Sequence, residues 1–221
     1  MRMKMVTGLV VALMTGMVSG AIADVIKGEV MIAPRGSLGI PVGDYPITGR
    51  DFSDLKNKVK TGYAFGALVD KVLTERVSVG AEVGYNVSKM NTTDLSNRLK
   101  QQGYDIEPDF KWKTIQLTGH ARYHVLPTQS LSFFGHLGAG LYVNKFSTDY
   151  VQHGTGDVTV LVPSSQTFTN FGINAGPGLL LRTGPYTRLS LEAIIHNVFT
   201  PKQSTRYLNV TASLVFSIPP E

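Results

Sequence analysis

The sequence predicts an all-β chain folded as an eight-stranded antiparallel up-and-down barrel. Three observations carry this. Eight segments alternate apolar with small or polar residues at a period of two, the repeat of a strand whose side chains leave on opposite faces. The connections between them are mostly short and long in turn. No apolar run after position 24 approaches the roughly 18 residues that a membrane-spanning helix needs.

Residues 1–23 have the layout of an export signal. Arg2 and Lys4 give a positive start, Met5 to Met17 is mostly apolar, and Ala21-Ile22-Ala23 is a small-x-small cleavage site before Asp24. The division expected is therefore a cleaved signal peptide at 1–23 and a barrel domain at 24–221.

The first strand, Lys27 to Gly43, has the poorest alternation, and Pro34 and Pro41 predict a bulge or an exposed edge. Asp44 to Lys60 is polar, with one short helical turn in FSDLKNKVK. The second strand, Thr61 to Asp70, sets Tyr63, Phe65, Ala67 and Val69 against Gly62, Ala64 and Gly66, and a connection at Lys71 to Glu75 follows. The third, Arg76 to Lys89, sets Val77, Val79, Ala81, Val83, Tyr85 and Val87 against Ser78, Gly80, Glu82, Gly84, Asn86 and Ser88. In the polar stretch Met90 to Pro108, TTDLSNRLKQQG reads as a small helix with a Thr or Asp cap and Gly103 as its stop.

The fourth strand, Asp109 to Val125, opposes Ile115, Leu117, Ala121 and Tyr123 to Thr114, Gln116, His120, Arg122 and His124. After a tight turn at 126–129 the fifth, Leu131 to Lys145, is the clearest: Leu131, Phe133, Leu137, Leu141 and Val143 against Ser132, Phe134, His136, Tyr142 and Asn144. At about 3.3 Å per residue it would be about 45–50 Å long, well beyond a usual strand. Ser147 to Ser164 is a long polar loop. The sixth strand, Ser165 to Arg182, contains Pro177, which marks a bulge. The seventh, Thr187 to Thr200, and eighth, Arg206 to Ser217, flank a loop that is short where the scheme asks for a long one.

Alternation alone leaves open which face meets water. A soluble eight-stranded barrel turns its apolar face inward and needs a charged exterior. Here the polar face is mainly Gly, Ser, Thr and Asn, which suits the crowded interior of a narrow barrel. Only 17% of residues are charged, below the roughly 25% of soluble domains. On the apolar face Tyr123, Phe133 and Phe216 lie near the turn end, and Tyr63, Tyr85, Phe171 and Phe199 near the loop end, two levels that fit interfacial girdles. The expectation is a transmembrane barrel with short periplasmic turns and long extracellular loops.

In pattern (VSVGAEVGYNVSK, FFGHLGAGLYV, FGINAGPGLLL, NVTASLVFS) Lys27 to Ser217 resembles the small OmpA/OmpX/Opa-like outer-membrane proteins of Gram-negative bacteria. The resemblance implies a non-enzymatic barrel of the cell envelope, acting in envelope integrity or surface interaction. It also implies contact with outer-membrane lipid and lipopolysaccharide, and handling by the barrel-assembly machinery. Members finish on an aromatic residue, whereas here Phe216 is followed by Ser217-Ile218-Pro219-Pro220-Glu221.

Glu82, His120, Arg122, His136, Glu192 and His196 fall on the inward face, where ions must be paired. They are expected to form a salt-bridged plug, with a narrow ion-conducting pore as the alternative. A second alternative is a lipid A deacylase or acyltransferase. It finds no His-x-Ser, and His153, near Asp149 and Asp157, is its only rim candidate. Lys56, Lys58, Lys60, Lys89, Lys111 and Lys113 at the loop end are candidates for lipopolysaccharide phosphates. Trp112, Phe110 and Tyr104 read as an adhesive patch or the upper rim. A net charge of +5, with Arg2 and Lys4 in the leader, gives no nucleic-acid signal. The absence of Cys excludes disulfides and thiolate metal sites. No cofactor is expected, and the chain is expected to be a monomer.

Overall fold

The structure, a computed structural model, describes residues 25–42, 59–101, 103, 106–125, 131–152, 165–200 and 204–220. The predicted leader and the helical turn before Val59 lie outside these residues. Eight strands form one closed antiparallel barrel in chain order: β1 (Val30–Pro41), β2 (Gly62–Thr74), β3 (Val77–Lys89), β4 (Ile106–His124), β5 (Leu131–Gln152), β6 (Ser165–Arg182), β7 (Thr187–Phe199) and β8 (Ser204–Ile218). Closure is made by β1 on β8, from Val30↔Ile218 to Pro41↔Tyr207, so every strand has a neighbour on both sides within the barrel.

Side-chain polarity is inside out. Leu137 is 64% exposed and Val79, Leu117 and Leu214 also face outward, whereas Glu82 and Glu192 are buried within. A barrel of this kind must present hydrocarbon-like groups to lipid and satisfy its backbone through the closed ladder.

The strands depart from the sequence reading in the following respects. β2 continues past Asp70 to Thr74, because Lys71 and Leu73 keep pointing outward and Val72 inward. The turn that remains, Glu75-Arg76, is tightened by Thr74 Oγ1, which accepts from the amides of Arg76 (3.2 Å) and Val77 (3.0 Å). β5 runs on to Gln152, seven residues beyond Lys145, held by pairing with β4 as far as Ile106↔Gln152. Its Phe146 turns inward onto Phe110 and Trp112, which anchors a stretch that looks polar in sequence. The prolines make no bulge. Pro34 and Pro177 leave gaps in the ladders to β8 and β7, consistent with their missing N–H, but the register on either side is unchanged.

The connection 90–105 carries helix α1 (Thr93–Gln101). The Thr92 carbonyl accepts the first helical bond, from Ser96, and Asn91 Oδ1 accepts from the Thr93 amide, so Thr92 stands at the cap. Gly103 takes φ 90° just past the helix, the left-handed stop expected of it.

The lumen is layered. At the turn end Val25, Met31, Ala33, Leu68, Val72, Phe134, Leu180 and Val215 form one apolar cluster. At the loop end Met90, Phe110, Trp112 and Phe146 form another, with Val59 and Phe168 packed against it. Between them lies the polar layer in which the ionisable residues meet.

Candidate functional site

Arg35 on β1 is the hub of that layer. It approaches Glu82 on β3 at 2.6 Å and donates to Glu192 on β7 at 2.9 Å. Glu192 also accepts from Arg122 on β4 (2.9 Å) and from Ser190 (3.0 Å). Arg122 reaches on to Asp70 on β2 (2.8 Å), which His120 contacts at 2.5 Å. Five strands thus contribute to one chain of ion pairs, every member of it buried.

A neutral network continues towards the loop end. Gln116 donates to Glu82 (2.7 Å) and accepts from the Tyr207 hydroxyl (3.2 Å). His136 meets Asn174 (2.9 Å), Asn174 donates to the Tyr142 hydroxyl (3.2 Å), and Tyr142 meets His196 (3.1 Å). His196 is stacked on Tyr207, with ring centroids 4.6 Å apart.

Nearer the turn end Arg188 holds Glu29 in a two-bond fork (2.7 and 3.2 Å) and also donates to Ser217. His124 sits between Ser78 (3.3 Å) and Ser132 (3.5 Å). Ions in such surroundings are tolerated because each is matched by charge and hydrogen bonds.

All six residues read as an inward network, Glu82, His120, Arg122, His136, Glu192 and His196, are buried in the lumen. The structure joins Glu82, His120, Arg122 and Glu192 through Arg35 and Asp70, which sequence reading left out. Their signal was strand parity. Asp70 follows Gly62, Ala64 and Gly66 on the inward face of β2, and Arg35 lies between two outward residues, Pro34 and Gly36. His136 lies 4.0 Å from Glu192, and His196 belongs to the neutral part.

Of the aromatic positions, Tyr63, Tyr123, Phe133, Phe171, Phe199 and Phe216 are exposed on the outer face and Tyr85 is half-exposed against Phe65. Phe110 and Trp112 form no surface patch. Both are buried in the upper lumen, where Trp112 Nε1 donates to Thr114 (3.1 Å), since even-numbered residues of β4 point inward. Lys60 and Lys89 are exposed, while Lys111 and Lys113 are half-exposed and Lys111 pairs with Asp109 (2.7 Å). Lys56, Lys58, Tyr104 and His153 lie outside the described residues.

Open space in the ionic layer is small. A pocket of about 10 Å³, lined by Arg35, Glu82, Asn86, Gln116 and Asn209 among others, has room for about one water. The arrangement is a buried, ion-paired plug of the lumen in which a few polar atoms, His120 Nδ1 and His136 Nδ1 among them, lack a hydrogen-bond partner among the described residues.

The comparisons agree with this geometry. A search of curated proteins returns no match. Among solved structures, Ail, the attachment invasion locus protein of Yersinia pestis, crystallised with the heparin analogue sucrose octasulfate, is similar at TM-score 0.51 and 14% identity, over 86% of this chain and 100% of that one. Neisserial surface protein A (NspA) is similar at TM-score 0.52 and 14% identity, over 86% and 99%. OprG from Pseudomonas aeruginosa is similar at TM-score 0.52 and 10% identity, over 87% and 96%. Residues 10–217 match the family described as outer membrane protein beta-barrel domain. With an eight-stranded closed barrel of inverted polarity, the chain belongs to that outer-membrane β-barrel family.

Proposed function

We propose that this chain is a non-enzymatic integral protein of the bacterial outer membrane, exported by residues 1–23 and monomeric, that serves envelope integrity or surface contact through its loop end. The observation that carries the reading is the layered lumen. Ion pairs fill the middle, about one water fits beside them, and an apolar cluster lies on either side. A lumen filled in this way argues against a pore. The strand histidines all turn into it, which argues against acyl transfer on lipid at the outer surface.

The partner proposed at the loop end is lipopolysaccharide, whose phosphates suit Lys60, Lys89, Lys111 and Lys113, together with Lys56 and Lys58. Ail was crystallised with a polysulfated ligand, and an anionic glycan is the same class of chemistry. Phe216, outward on the last strand, is the residue proposed to engage the barrel-assembly machinery.

The test reconstitutes the full chain into planar bilayers and, separately, incubates it with lipopolysaccharide. The expected result is no stable conductance, unchanged lipid A acylation, and binding that weakens as salt rises. Sustained channel steps or altered acyl chains would overturn the reading, and release from membranes without detergent would overturn insertion itself.

A further inference from the structure

A carboxylate oxygen of Glu82 and one ring nitrogen each from His120 and His136 lie within 4.8 Å of one another, all three residues being buried. The hydrogen bonds around the two imidazoles assign their tautomers. His120 Nε2 lies 2.5 Å from Asp70 Oδ1, a carboxylate that accepts, so Nε2 carries the proton. His136 Nε2 lies 2.9 Å from Asn174 Oδ1, and because Asn174 Nδ2 donates to Tyr142, this oxygen accepts from Nε2–H. A ring that keeps this Nε2–H bond can offer a lone pair to a metal only through Nδ1.

Both Nδ1 atoms are buried without a hydrogen-bond partner among the described residues. His136 Nδ1 stands 4.0 Å from Glu192, beyond bonding range. An imidazole held through one N–H by a carboxylate or amide oxygen, with its other nitrogen bare, is the arrangement adopted by metal-binding histidines.

We propose that Glu82, His120 and His136 form a transition-metal site inside the barrel, suited to zinc. Imidazole nitrogens and a carboxylate are the zinc donor set that leaves one position open. Glu82 keeps lone pairs for the ion, since Gln116 and Arg35 engage its oxygens once each and a carboxylate offers about four acceptor sites. The layer sets two guanidiniums, of Arg35 and Arg122, against three carboxylates, of Asp70, Glu82 and Glu192, so its fixed side-chain charges do not exclude a cation.

The site is open in its present form. The two rings stack with centroids 4.8 Å apart and planes at 24°, whereas tetrahedral zinc ligands at ~2.0–2.1 Å stand roughly 3.3 Å apart. Loading therefore turns one ring about its Cβ–Cγ bond. His136 is the ring that turns, because His120 is tied to a buried carboxylate and His136 only to an amide. With the three residues buried between two apolar clusters, loading is tested during folding.

The experiment folds the full chain from denaturant into detergent with Zn²⁺ or Co²⁺, removes free ion by desalting, and measures metal per barrel. Expected is about one ion per chain with the tetrahedral Co²⁺ absorption band, and at least a tenfold loss in the H120N/H136N variant but not in H124N. No retained metal in the wild type overturns the proposal, as does equal retention in H120N/H136N. Should that variant fail to fold, X-ray absorption on the zinc-loaded wild type decides. Imidazole scattering from two rings supports the site, and an oxygen-only shell overturns it.

Discussion

Arg35 on the first strand bonds Glu192 on the seventh at 2.9 Å and stands 2.6 Å from Glu82 on the third, so one guanidinium ties together strands on both sides of the closing seam. Removing it strands two buried carboxylates, although Glu192 retains Arg122. Arg35→Met should destabilise the folded barrel by about 3–5 kcal/mol, and adding Glu82→Gln to it should recover part of the loss. Urea titration of folding into detergent measures both. Equal stability of the single and double variants would remove the case for a coupled network.

Trp112 is the only tryptophan in the chain and is 3% exposed, inside the upper lumen rather than against lipid. Its emission should be blue-shifted, poorly quenched by acrylamide, and almost unaffected by brominated lipid at any depth. Strong quenching by brominated acyl chains would mean that β4 faces the other way.

Leu137 points outward from the fifth strand, between the Phe133 and Leu141 positions, and is 64% exposed. Leu137→Arg should cost about 2–4 kcal/mol if the position lies near the bilayer midplane, and markedly less at the level of Tyr123. Folding titrations into vesicles compare the two sites. A cost near zero at Leu137 would contradict a lipid-facing surface.

Two glycines on the fifth strand should respond in opposite directions. A Cβ on Gly140 would run into the backbone carbonyl of Leu117, whereas one on Gly135 meets nothing within 4 Å. Gly140→Ala should destabilise by about 1–3 kcal/mol through overpacking. Gly135→Ala should be neutral or stabilise by up to about 1 kcal/mol by restricting the unfolded chain. Denaturant midpoints of the two variants are the measurement.

The strands were legible because alternation is a local signal. Val77 to Lys89 can be divided between lumen and lipid from the sequence alone, and parity places Glu82, His120 and Glu192 on one face. Which of these residues touch was not legible, because contact across the lumen depends on how eight strands are staggered around the axis. Arg35 illustrates the loss. Its outward neighbours are Pro34 and Gly36, which blur the apolar face that would have marked it as inward. Asp70 ends the strand in the sequence reading, with Lys71 to Glu75 as a connection, whereas the alternation of Val72 and Leu73 continues it. Likewise Phe146 lies just past the residues that end the apolar pattern of β5, yet its burial with Trp112 carries that strand on towards Gln152.

The seam between the first and last strands has a consequence for biogenesis. A half-made sheet would lay Arg35 and its carboxylate partners bare to the acyl chains, at a cost of several kcal/mol for each stranded ion. Entry into the bilayer and the joining of the two chain ends are then a single step, and an insertion intermediate with an open seam should be too short-lived to accumulate.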